Sequence, residues 1–150
     1  MSGIFVGVDG SDHSRLALAW ALREAVQRRM PLTVVSVRPA PVRPATDIYW
    51  GVPDLPADPR DEGAELRALR EFVDKVADET GETVPDISLV MEKGDPAEQL
   101  IRASRDADLL VVGSRGSGGF ARLMLGSVSS KVVHHAVCPV VVIPGPRQAP

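Results

Sequence analysis

The sequence predicts an α/β fold, a parallel sheet covered by helices on both faces as a three-layer sandwich. Short apolar runs alternate with amphipathic stretches in the order β-α-β-(loop)α-β-α-β-(glycine loop)α-β, the pattern of right-handed crossover units. The strand runs are nearly uninterrupted in their apolarity, as happens when both faces of a sheet are hidden. The 150 residues, 44% of them apolar, suffice for one core without a disulfide or metal staple, and no internal repeat divides them. Residues 1–150 therefore read as a single five-stranded domain.

Ile4-Phe-Val-Gly-Val8 is the first buried strand. From Asp12 to about Arg29 the pattern turns helical, with Leu18, Ala21, Leu22, Ala25 and Val26 on one face, and Pro31 is expected to close it. Leu32 to Val37 is the second strand. Residues 38–59 hold six prolines and read as a long irregular connection, either a functional loop or a surface insertion. Within it, Tyr49 and Trp50 would cover a ligand or partner, or pin the loop to the body. A helix from Glu62 to Thr80 lines up Leu66, Leu69, Phe72, Val73 and Val76, and Gly81 fits the left-handed position past its end. Ile87 to Met91 is the third strand. Asp95 is a good N-cap, with Pro96 at the first helical position and Glu98 placed for a capping box, and that helix runs to about Arg105. Leu109 to Val112 is the fourth strand, Ser127 to Ala136 the last helix, and Pro139 to Ile143 the fifth strand; residues 144–150 read as a tail.

Charge and cysteine content narrow the function. Charged residues make up 25% and the net charge is −3, so the basic excess of a nucleic-acid backbone binder is missing. No apolar run approaches the roughly 18 residues of a membrane span. The first residues carry no basic segment and enter a strand at once, unlike a signal peptide. The one cysteine, Cys138, cannot form an internal disulfide and is expected as a small buried hydrophobe. Together these give the expectation of a cytoplasmic protein.

In an open doubly wound sheet, ligands sit beyond the carboxyl ends of the strands where the winding reverses. Two ends stand out, Val8-Asp9-Gly10-Ser11-Asp12 and Val112-Gly113-Ser114-Arg115-Gly116. Glycines let backbone amides approach an anion, and a helix opening at Gly126-Ser127-Val128-Ser129 offers free amides and a positive dipole end. Ser127 would act there as N-cap or as hydroxyl donor. Two common nucleotide motifs are missing: no glycine precedes a lysine, and the first strand is not followed by a dinucleotide fingerprint.

Gly113-x-x-Gly116, nine residues, then Gly126-Ser127 resembles the ATP-binding pattern G-x2-G-x9-G-S/T of the universal stress protein family. Val6-Gly-Val-Asp9-Gly-Ser11, Gly94-Asp-Pro-Ala97, Ala107 to Gly113 and His134 to Val140 resemble its other landmarks, so the likeness runs along most of the chain. Residues 38–59 are the least similar part. The resemblance implies a flavodoxin-like sandwich, of the adenine nucleotide alpha hydrolase-like type, with strand order 3-2-1-4-5. It implies ATP, or another adenine nucleotide, with Mg²⁺ between the ends of strands one, two and four. On that model Asp9 faces the ribose or the metal–phosphate region, beside Gly10 and Ser11, and Val37 lies near adenine. Val112, Gly113, Arg115 and Gly116 line the ribose and phosphates, and Gly126, Ser127, Val128 and Ser129 hold the phosphates. The resemblance also implies a homodimer. In that strand order Val140 to Ile143 is an edge strand without a charge, and an open apolar edge invites pairing with a second copy.

Several residues have a second reading. Asp9 is a ligand contact or a turn residue capping the first helix. Arg115 pairs with phosphate or is merely solvated. His134 and His135 point to different helix faces and make no ligand set. His13 and Ser14 imitate a base–nucleophile pair but lack an orienting acid. The function the sequence supports is an ATP-binding regulatory protein with a stress-response role and at most slow hydrolysis. The alternatives are an ATP-dependent enzyme on the same fold and a nucleotide-free interaction scaffold.

Overall fold

The computed structural model describes residues 3–38, 59–84, 86–115 and 125–146. Its elements are β1 (Ile4–Val8), α1 (Asp12–Arg28), β2 (Leu32–Arg38), α2 (Pro59–Thr80), β3 (Ile87–Lys93), α3 (Pro96–Ala103), β4 (Leu109–Gly113), α4 (Ser127–His135) and β5 (Val140–Ile143). The five strands form one parallel sheet in the order β3-β2-β1-β4-β5. The expected order thus holds. The chain lays β2 and β3 to one side of β1, then crosses back to place β4 and β5 on the other. The winding reverses between β1 and β4, where Ile4, Phe5 and Val6 pair with Leu109, Leu110 and Val111.

Strand alternation divides the core into two layers. On one face Ile4, Val6, Val34 and Val111 pack with Leu18 and Leu22 of α1 and Val73 and Val76 of α2. On the other, Val35, Leu110 and Val112 pack with Leu100 of α3 and Val132 of α4. Because β1 and β4 are central, their side chains are lost to solvent on both faces, which is why their sequences are apolar throughout. Truncating a fully buried residue such as Leu22 or Leu110 to alanine would cost about 2–5 kcal/mol.

Element ends differ from expectation in informative ways. Arg29, in the left-handed region at φ 55°, ends α1, and the Met30 N–H closes on the Ala25 carbonyl at 3.0 Å. Pro31 therefore follows a helix already terminated, and its carbonyl accepts from the Ile4 N–H. Strand β3 runs two residues past Met91, because Glu92 and Lys93 pair with Val37 and Arg38. Charged residues suit that position, since β3 is an edge strand whose end is exposed. Helix α2 begins at Pro59 rather than Glu62. Proline fits a first helical position because the amide it lacks has no intrahelical partner there. The rest of the long connection, including Tyr49 and Trp50, lies outside the described residues.

Two expected caps form. Gly81 takes φ +71° and donates to the Ala77 carbonyl. The Asp95 carboxylate accepts from the Glu98 N–H at 3.0 Å, with Pro96 opening α3. Among the described residues no helix is long and apolar enough to cross a membrane.

Candidate functional site

The carboxyl end of β1 leads into a tight turn. Asp9 and Gly10 are exposed, and Gly10 takes φ +82°, a conformation that costs glycine little. The Asp9 carboxylate accepts from the Ser11 N–H at 2.9 Å. Ser11 is the N-cap of α1 and accepts from the Ser14 N–H at 3.2 Å. The capping role considered for Asp9 thus belongs to Ser11, and Asp9 shapes the turn before it. Ser14 is buried, and its hydroxyl donates to the Ser11 carbonyl at 2.9 Å. That proton is committed to the helix, so the apparent base–nucleophile pair with His13 is not one.

The neighbouring end, that of β4, is built around the backbone of Ser114. Its N–H donates to the Ile143 carbonyl at 2.8 Å, tying β4 to β5. Its carbonyl accepts twice, from the Gly126 N–H at 2.7 Å and from the Ser129 hydroxyl at 2.8 Å. The start of α4 is thereby held against the end of β4. Gly126, not Ser127, is the N-cap, and no side chain caps the helix. Ser127 is the first helical residue and is exposed. The α4 first turn carries no acidic residue, so its amides and positive dipole end are not neutralised from within the turn.

Gly126 is needed for space. A Cβ there would stand 3.3 Å from the Arg115 Cα and 3.3 Å from the Ser114 carbonyl oxygen. Arg115 holds one guanidinium nitrogen, Nη2, buried with no hydrogen-bond partner among the described residues. A buried donor left unpaired is costly, and a guanidinium is well matched to an anionic oxygen. Gly113 backs onto α1, where a Cβ would lie 3.0 Å from the His13 carbonyl oxygen.

At the end of β2, Val37 is half-buried and packs with the α3 and α4 layer. Beside it Arg38 pairs with Glu65 of α2, and its carbonyl accepts from the Gly94 N–H. Lys93 pairs with Glu62 at 2.5 Å, and this hydrogen-bonded ammonium holds the Glu62 carboxyl below its ordinary range. The Arg38–Glu65 pair is half-buried and the Lys93–Glu62 pair exposed, and both link α2 to the β2 and β3 ends.

The structure therefore brings Asp9, Gly10, Ser11, Val112, Gly113, Arg115, Gly126, Ser127, Val128 and Ser129 to the carboxyl ends of β1 and β4, with Val37 one strand away. Gly116 lies outside the described residues. Val112 and Val128 face the apolar layer, buried and half-buried respectively, so they shape the floor. Ser129 is buried and its proton is spent on Ser114, which leaves its backbone N–H to offer a ligand. Cys138, half-buried before β5, sits at the opposite end of the sheet. Among the described residues no three histidine, cysteine or acidic side chains group as a metal site. Sequence reading passed over Ser114, whose role is carried by its backbone and leaves no mark in residue type.

The family model described as the universal stress protein family matches residues 1–144. The chain belongs to that family. It is 38% identical over 156 aligned residues to a universal stress protein of Mycolicibacterium smegmatis, covering 98% of this chain and 49% of that protein. The chain spans about half the length of the curated relatives it matches. Among solved structures, the universal stress protein UspA from Lactobacillus plantarum superposes with a TM-score of 0.72 at 28% identity, covering 95% of this chain and 97% of that one. A universal stress protein solved in complex with cAMP superposes with a TM-score of 0.66 at 25% identity, covering 94% of each chain.

Proposed function

We propose that the crevice between β1 and β4 binds an adenine nucleotide, ATP with Mg²⁺, and that the protein is a nucleotide-responsive regulator of the stress-response type rather than a fast enzyme. The observation that carries this is the pairing of Gly126 with Arg115. A side chain at Gly126 would crowd Ser114 and the Arg115 backbone where the start of α4 meets β4, and Arg115 carries a buried guanidinium nitrogen with no hydrogen-bond partner among the described residues. Both features fit a phosphate, which takes amide donors at a helix start and a charge-assisted bond from arginine. The amides of Ser127, Val128 and Ser129 would hold the phosphates, with Gly113, Gly116 and Arg115 at their flank. Asp9, exposed at the turn after β1, would accept from the ribose or help to hold Mg²⁺, and Val37 would lie against adenine. The bound metal would supply charge neutralisation on the phosphates. The complete G-x2-G-x9-G-S spacing and the cAMP complex of a family member support the same class of ligand.

On this reading residues 1–150 act as one nucleotide-binding unit. The open edge of β5 would pair with a second copy. The carbonyls of Pro139 and Ile143 face β4, so by alternation the backbone groups of Val140 and Val142 face outward. Mass spectrometry of nucleotide released from the denatured protein, followed by calorimetric titration with ATP, AMP and cAMP with and without Mg²⁺, tests the proposal. Saturable ATP binding is expected. A folded protein that carries and binds none of these would refute it, and multiple-turnover hydrolysis at ordinary enzymatic rates would move the function to the enzyme class.

A further inference from the structure

The segment that leaves β5 lies over the same end of the sheet as the crevice. Gly145, between Pro144 and Pro146, backs onto His13 so closely that a Cβ there would overlap the imidazole, at 2.9 Å from Nδ1 and 3.1 Å from Nε2. Nδ1 is buried with no hydrogen-bond partner among the described residues. On its other side, the His13 backbone meets the end of β4 at Gly113. One residue further along β4, Ser114 receives the Ile143 carbonyl on its N–H and gives its own carbonyl to Gly126 and Ser129. The outgoing chain thus meets the surroundings of the β4 end at two points, Ile143 at Ser114 and Gly145 at His13. The flanking prolines fix φ on either side of Gly145, which leaves the strap few ways to shift except by lifting from its seat.

We propose that His13 and Gly145 form a seat that couples the strap 144–146 to the nucleotide crevice, with His13 as a positioning residue for the β4–α4 turn. With the strap seated, the imidazole is clamped between Gly145 and the body of the fold, and the end of β4 is held where Ser114 can fix α4. With the strap lifted, that clamp opens and the amides at the start of α4 lose their register. Nucleotide binding and seating of the strap then favour one another, and by linkage the effect is reciprocal. A protein partner that draws the strap off His13 would be read at the crevice as lost affinity. This inference rests on the nucleotide reading of the site.

The test uses Gly145→Ala, which obstructs the seat, His13→Ala, which clears the obstruction, and the double variant. Each is titrated with Mg-ATP, and the backbone amide resonances of Gly113, Ser114 and Gly126 are followed without ligand. Gly145→Ala is expected to move the three amides and weaken ATP binding by about fivefold or more. Adding His13→Ala should bring both readouts back to the His13→Ala values, a non-additive pair. Gly145→Ala binding ATP like the wild type, or strictly additive effects, would overturn the proposal. If the wild type binds no ATP, the nucleotide reading fails and the amides decide the seat alone: unmoved amides overturn it, and shifts rescued in the double variant sustain it. If Gly145→Ala does not fold, hydrogen exchange of segment 143–146 in the wild type decides, and protection that fails to rise with Mg-ATP overturns the coupling.

Discussion

Replacing Gly126 with valine probes the proposed phosphate site through space alone. Gly126 sits at φ −63° and ψ 166°, which any residue adopts, so the substitution brings no backbone strain. Its Cβ, however, would start 3.3 Å from both the Arg115 Cα and the Ser114 oxygen, and valine adds two more carbons to that crowding. To admit them, the first turn of α4 has to retreat from β4. That stretches the Gly126 N–H bond to Ser114, now 2.7 Å, and the Ser129 hydroxyl bond, now 2.8 Å. Overpacking of this kind costs about 1–3 kcal/mol, and each weakened neutral hydrogen bond about 1 kcal/mol at most. The fold should survive, since Gly126 lies outside both core layers. The ligand would meet amides out of register and an Arg115 backbone displaced from its place, so Mg-ATP affinity should fall at least tenfold, about 1.4 kcal/mol. Calorimetric titration beside a thermal melt separates the two effects. An unchanged Kd in a folded Gly126→Val protein would refute the phosphate assignment, and Gly126→Ala should fall between the two.

Asp9→Ala removes one exposed turn bond worth about 1 kcal/mol or less, so the unliganded melting temperature should fall slightly while Mg-ATP affinity falls more; an unliganded protein that unfolds makes Asp9 structural instead. Val142→Pro deletes an amide that faces the open edge of β5 and leaves the bonds to β4 in place, so sedimentation should show a shift toward monomer. A charge at Val141 is a poorer probe, because Val141 and Ile143 lean on the α1 layer and such a variant would disturb the fold as well. Burial pushes the Cys138 thiol above its ordinary range, so at mildly alkaline pH its reaction with iodoacetamide should be slower than that of a free cysteine peptide; an equal or faster rate contradicts that environment.

Local chemistry made most of the fold legible. The strands announced themselves as apolar runs, and Gly81, Asp95 and Pro96 marked helix ends through requirements that single residues satisfy. Misjudged boundaries were those that a neighbour decides. Glu92 and Lys93 look like loop residues until β2 lies beside them. The glycine spacing pointed to the β4–α4 turn, where a Cβ on Gly126 would crowd Ser114 and Arg115. Neither Ser114 nor the contact of His13 with Gly145 could be read the same way. The first acts through main-chain atoms that every residue has, and the second joins positions far apart in sequence that only the topology brings together.

The strand order carries a consequence for how the molecule comes into being. Strand β1 is made first yet ends up in the centre, with its β4 side open until residues 109–113 arrive. β1, α1, β2, α2 and β3 lie consecutively along the chain and pack against one another, so their contacts close shorter loops than the pairing of β4 with β1, which joins Ile4 to Leu109. Assembly is then expected to begin in this amino-terminal portion, while the crevice comes into existence only when β4 docks on β1 and α4 settles on Ser114. A nucleotide has nothing to hold in the half-built chain, so its influence falls on the finished molecule. It would act as a brake on unfolding and lend little speed to folding.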